Sequence, residues 1–122
     1  MLPTLLKINT TIKRLIKNKH MNTITVEEVK ARIDAGEQLH IVDVREPHEN
    51  TEFNIGGLLL PLGKVQTMQL DDIEDWKDKE VIVYCRSGNR SGQACQILEM
   101  AGFKNAKNLV GGMLSWRETF KV

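Results

Sequence analysis

Apolar residues along this chain fall into short, separated groups whose spacing alternates between the periods of strands and helices. Ile41, Val42 and Val44 form one group, Val81 to Tyr84 a second, and Ala106, Leu109 and Val110 a third. Short apolar runs bounded by polar and glycine positions predict strands buried on both faces over 40–44, 81–84 and 106–110, with 58–60 as a further short candidate. Between them the pattern lengthens. Thr25 three residues before Glu28 predicts a capped helix start, carried through Ile33 and stopped at Gly36. Ala94, Ile97, Leu98 and Ala101 share one face of a helix expected over 91–101, ended by Gly102, and 113–120 closes the chain as another helix. An acidic connection containing Trp76 is expected over 71–79, a proline-punctuated turn at Pro47, and loops over 50–54 and 63–72. Strands alternating with helices over short connections predict an α/β fold, an open parallel sheet with helices on both faces in a single domain.

At 122 residues, 41% hydrophobic and 27% charged, the chain has room for one modest core. Its longest apolar runs fall far short of the roughly 20 residues that cross a bilayer. The net charge of +1 is unevenly spread: residues 1–21 carry five Lys and Arg and no acid, so the remainder is net acidic. Leu5, Ile8, Ile12, Leu15 and Ile16 interleave with those bases at a spacing close to one helical face. The chain is therefore divided into a basic, amphipathic or disordered extension over 1–21 and a domain over 22–122. The extension is read as dispensable, with membrane-surface contact as the less favoured alternative.

Two cysteines fit a reducing compartment better than a disulfide framework, and a cytoplasmic location is expected. Cys95 lies on the apolar face of its helix, out of bridging reach of Cys85, and is read as a packed thiol. His20, His40 and His48 follow no metal-ligand spacing, and no Cys-x-x-Cys occurs, so neither a metal nor an organic cofactor is expected. Gly111-Gly112 lacks the remaining residues of a phosphate loop and reads as tight packing before the last helix. Trp76 and Trp116 read as core anchors, since no basic and aromatic interleaving surrounds them, and no nucleic-acid partner is expected.

Candidate chemistry concentrates at Cys85. It ends the 81–84 strand and opens a run of Arg86, Ser87, Gly88, Asn89 and Arg90 that leads into a helix. Open α/β sheets place ligands where a parallel strand hands over to a helix, because loop amides and the helix N-terminus converge there. Those amides, together with the Arg86 and Arg90 guanidinium groups, are expected to favour a Cys85 thiolate, making a nucleophile without a paired base. The plainer reading is a structural cysteine at the end of a core strand. Two arginines, a glycine and small polar residues suit an anion better than an apolar contact.

Cys85-Arg-Ser-Gly-Asn-Arg-Ser91, preceded by Asp43-Val-Arg-Glu-Pro47 and followed by Gly111-Gly-Met-Leu-Ser-Trp116, resembles the motif set of a single-domain rhodanese. The resemblance covers about residues 22–120. It implies a rhodanese-like sheet and a thiosulfate sulfurtransferase that moves sulfane sulfur, through a Cys85 persulfide, from thiosulfate or another persulfide donor to cyanide or a thiol. Arg86 would hold the anionic donor, and Arg90 would face inward and pair with Asp43 or Glu46, with Arg45 a surface or network residue. The alternative is a carrier or interaction module with little turnover on thiosulfate, loaded by a sulfur-trafficking protein partner. Related cysteine phosphatases and arsenate reductases use Cys-x5-Arg, one residue longer than the Cys-x4-Arg found here. The family's usual Gly-His-Ile-Pro-Gly-Ala is replaced by Glu52-Phe-Asn-Ile-Gly-Gly57, which removes a histidine that is not the nucleophile.

Overall fold

The computed structural model describes residues 22–122, so the expectations for residues 1–21 lie outside it. Five parallel strands, β1 (Thr23–Ile24), β2 (His40–Asp43), β3 (Leu58–Leu59), β4 (Glu80–Tyr84) and β5 (Asn105–Leu109), lie in the order β1-β5-β4-β2-β3. Five helices accompany them: α1 (Val26–Asp34), α2 (Pro47–Glu52), α3 (Leu62–Gln66), α4 (Asn89–Met100) and α5 (Gly112–Phe120). A 3-10 helix occupies Asp71–Trp76.

Strand β4 explains the architecture. Its side chains alternate between faces, and both faces are sealed. Val81, Val83 and Cys85 join a cluster with Val42, Leu60, Val65, Ile73, Ala94, Cys95 and Leu98 under α3, the 3-10 helix and α4. Ile82 and Tyr84 join Ile24, Val29, Ile41, Leu109, Met113 and Trp116 under α1 and α5. The uninterrupted apolar run is thus a central strand of a doubly wound sheet.

The helix starts have local causes. The Thr25 side chain accepts the Glu28 backbone N–H at 3.1 Å, with Glu27 and Glu28 in the first turn of α1. Pro47 opens α2, and the Glu49 carboxylate folds back to accept the Glu46 backbone N–H at 3.1 Å.

Three elements depart from the sequence expectation. The stretch after Asp43 is the helix α2 rather than a turn, part of 63–72 is the helix α3, and β1 adds an edge strand. Each is short, and α2 buries no residue, so none carries a periodic apolar signal. Helix α4 also begins two residues before the expected 91, so Asn89 and Arg90 form its first turn. Among the described residues no helix is long and apolar enough to cross a membrane.

Candidate active site

Strand β2 pairs Asp43 with Tyr84 of β4, so the two strands end level and their following residues converge. The chain leaves β2 toward the β3 edge and leaves β4 toward β5, which makes the crevice beyond their carboxyl ends a topological switch point. Cys85 stands there.

Cys85 is buried, and three residues, Arg86, Ser87 and Gly88, separate it from α4. Gly88 caps that helix with φ 104°, a left-handed conformation natural to glycine. Its backbone N–H donates to Cys85 Sγ at 3.1 Å, and Ser91 Oγ lies 3.3 Å from the same sulfur. Burial works against ionisation of the thiol. The Ser91 hydroxyl and the N–H groups of Ser91, Gly88 and Ser87 outweigh it, and the pKa lies below the ordinary thiol value. Hydrogen bonds to the sulfur are the leading causes that favour the thiolate, and the Arg90 guanidinium also interacts favourably with the Cys85 charge, in the sense expected.

Arg90 does face inward, with a different partner from the two expected. Its guanidinium grips Glu49 of α2 in a two-pronged pair at 2.7 and 2.9 Å. The pair holds the Glu49 carboxyl down at about 2. Asp43 serves Arg45 instead, taking its backbone N–H and two guanidinium bonds at 2.9–3.0 Å, and also the Asn50 amide at 2.9 Å. Arg45 is therefore a buried network residue, not a surface one, and it reaches on to the Phe53 carbonyl at 2.6 Å. Glu46 is exposed and caps α2. Asp43 thus bonds to the helix that presents Glu49, and its charge also reaches Arg90 without a hydrogen bond between the two.

Arg86, Ser87 and Asn89 are exposed. Arg86 borders a pocket of about 430 Å³ whose other walls include His48, Phe53, Met113, Leu114 and Arg117. The Arg117 guanidinium lies 5.0 Å from the centre of the Phe53 ring and joins Arg86 and Arg45 on the lining of this pocket, together with the acids Glu49 and Glu52. Sequence reasoning missed Glu49, Arg117, Ser91 and Asn108 as members of the site. Ser91 stood inside the quoted motif, and Glu49 stood two residues after Pro47, but Asn108 and Arg117 carried no local signal.

Cys95 is buried among apolar groups, which push its thiol up to about 12, and neither cysteine is in a disulfide. Among the described residues no three His, Cys, Asp or Glu side chains converge in a way that could hold a metal ion.

A family model described as Rhodanese-like domain matches residues 25–119. A sulfurtransferase of Allochromatium vinosum is 36% identical over 97 residues, covering 79% of this chain and 88% of the relative. A Bacillus subtilis (strain 168) protein whose name describes a sulfur carrier is 35% identical over 76% of this chain, which spans about half of that longer relative, 49%. The crystal structure of a rhodanese-like domain protein from Staphylococcus aureus superimposes with a TM-score of 0.67 at 28% identity, covering 79% of this chain and 91% of the other.

Proposed function

The chain belongs to the rhodanese-like domain family, and from that premise we propose that it is a sulfurtransferase that works through a persulfide on Cys85. One observation carries this reading: a lowered-pKa sulfur at a switch point, receiving the Gly88 N–H at 3.1 Å in a loop three residues long. A cradle this short suits a single added sulfur atom better than a tetrahedral phosphate.

With thiosulfate as donor, the Cys85 thiolate attacks the outer, sulfane sulfur. The new S–S bond forms as the donor S–S bond breaks, and sulfite leaves with the electron pair. An acceptor thiolate or cyanide then attacks the outer sulfur of the persulfide and regenerates the Cys85 thiolate. Arg86, exposed beside the nucleophile, is the residue we assign to the donor's anionic oxygens. Ser87, Gly88 and Asn89 shape the cradle, Arg90 locks it through Glu49, and the Asp43–Arg45 pair supports the helix behind it. We assign the catalytic unit to residues 22–122, in keeping with the family match over 25–119, and place it in the cytoplasm, where unpaired cysteines persist.

A second reading, a carrier loaded by a partner protein rather than by thiosulfate, is supported by the sulfur-carrier relative. Both are tested by the intact mass of the reduced protein after thiosulfate treatment and desalting, for wild type and Cys85→Ser. The enzyme reading expects one cyanide-removable sulfur atom on the wild type alone. No gain from thiosulfate, with a gain from a protein persulfide donor, shifts the assignment to the carrier, and no gain from either sinks both.

A further inference from the structure

A line of buried polar side chains runs from the Cys85 sulfur into the sheet. Ser91 Oγ lies 3.3 Å from Sγ and donates a short hydrogen bond to Asn108 Oδ1 at the end of β5. Asn108 Nδ2 donates to the Gly88 carbonyl at 3.1 Å, which fixes the carboxamide with its oxygen toward Ser91. Cys85, Ser91 and Asn108 are 1%, 0% and 9% exposed, so water does not replace these partners freely.

A serine hydroxyl has one proton to give. While Cys85 is a thiol, its S–H donates to Ser91 Oγ and the Ser91 O–H donates to Asn108 Oδ1, so every donor has an acceptor. A thiolate only accepts, and its strongest bond from Ser91 requires that same proton. The hydroxyl must then rotate to the sulfur and leave the buried Asn108 oxygen without its donor. We infer that Asn108 is a positioning residue that competes with the Cys85 sulfur for the Ser91 proton and so sets how readily the nucleophile ionises. Its two bonds act in opposite senses: Oδ1 draws the proton away from the sulfur, while Nδ2 holds Gly88 so that its N–H stays on the sulfur.

The charged and titratable groups around the sulfur are Arg86 on its loop, Arg90 and Cys95 on α4, the Asp43–Arg45 pair at the end of β2, and Glu49 on α2. None of them hydrogen-bonds Sγ, whose partners are Ser91 Oγ and the Gly88 N–H, and none is removed by substitution of Asn108 or Ser91.

The inference rests on Cys85 being the reactive sulfur, and its test reads the thiol itself. The pH dependence of Cys85 alkylation by iodoacetamide, followed by peptide mass, is measured for wild type, Asn108→Leu, Ser91→Ala and the double variant. Loss of the Gly88 tether occurs in both Ser91 backgrounds and cancels in the cycle. The expected result is that Asn108→Leu raises the thiolate fraction about tenfold more with Ser91 present than in the Ser91→Ala background, the worth of one neutral hydrogen bond. Equal effects in the two backgrounds, or a coupling of opposite sign, overturn the inference. Asn108→Ala repeats the cycle if the leucine variant does not fold. Failed sulfur loading with the coupling intact sinks the sulfurtransferase reading alone, whereas additive shifts with loading intact sink this inference alone.

Discussion

Gly112 shows how one residue without a side chain shapes the chemistry of another. It has φ 53°, and a Cβ placed on it would lie 2.3 Å from the Cys85 carbonyl oxygen and 2.7 Å from that of Arg86. Those same carbonyls accept the Met113 and Leu114 N–H groups at 3.0 Å each, so the first turn of α5 grips the outer side of the Cys85 loop. A peptide unit is planar and trans, so turning the Arg86 carbonyl out toward α5 turns the Ser87 N–H the other way, toward the sulfur. Gly112→Ala must push α5 off the loop or twist that peptide. A cost of about 3 kcal/mol or more in urea unfolding is expected, from backbone collision plus left-handed strain. With it, iodoacetamide titration should show the Cys85 pKa moving up toward the ordinary thiol value. Unchanged stability and titration would mean that the grip does not shape the cradle. The glycine pair was legible in the sequence as a close approach, but its partner was not, because that partner lies 26 to 27 residues earlier in the chain.

At the scale of elements, what could be read in advance followed burial. Strands β2, β4 and β5 and helices α1, α4 and α5 bury apolar side chains, and the alternation of periods gave their order and most of their bounds. Helix α2 buries nothing and is six residues long, so its apolar pattern is silent, although Pro47 and the acid Glu49 in its first turn mark a helix start. Missing α2 meant missing Glu49, and that is why Arg90 was expected on Asp43 or Glu46. The Glu49–Arg90 pair ties α2 to α4 and gives a pH signature. The Glu49 carboxyl is lowered from its ordinary 4.5 to about 2, so the native state binds its proton less readily than the unfolded chain. Its contribution is whole above about 4.5 and is lost as pH falls toward about 2. Glu49→Gln should cost about 1 kcal/mol at neutral pH, since both side chains are partly solvated. Urea midpoints of variant and wild type should converge near the acid end of that window. A gap that persists there would assign the loss to packing rather than to charge.

The molecule as a whole is organised by two apolar clusters on opposite faces of one sheet, and Tyr84 reports on the seal between the sheet and α2. Its ring belongs to the cluster under α1 and α5. Its hydroxyl donates to the Gly56 carbonyl at 3.2 Å and accepts the Ile55 N–H at 3.4 Å, in the segment that replaces the family's histidine-bearing motif. Burial, reinforced by the nearby Asp43 charge, pushes the phenol from 10 up to about 12. A native state that holds this proton more tightly than the unfolded chain keeps the full contribution below pH 10 and loses it between about 10 and about 12. The chain has a single tyrosine, so tyrosinate absorbance reads this residue alone. During an alkaline titration the signal should appear together with the loss of sheet circular dichroism rather than ahead of it. Tyr84→Phe should flatten the stability profile over that window while costing about 1 kcal/mol at neutral pH, the worth of its hydrogen bonds. Tyrosinate forming near pH 10 in protein that keeps its circular dichroism would mean that 53–57 opens to solvent on its own. The lost histidine would then have left a looser wall beside the Asp43–Arg45 pair.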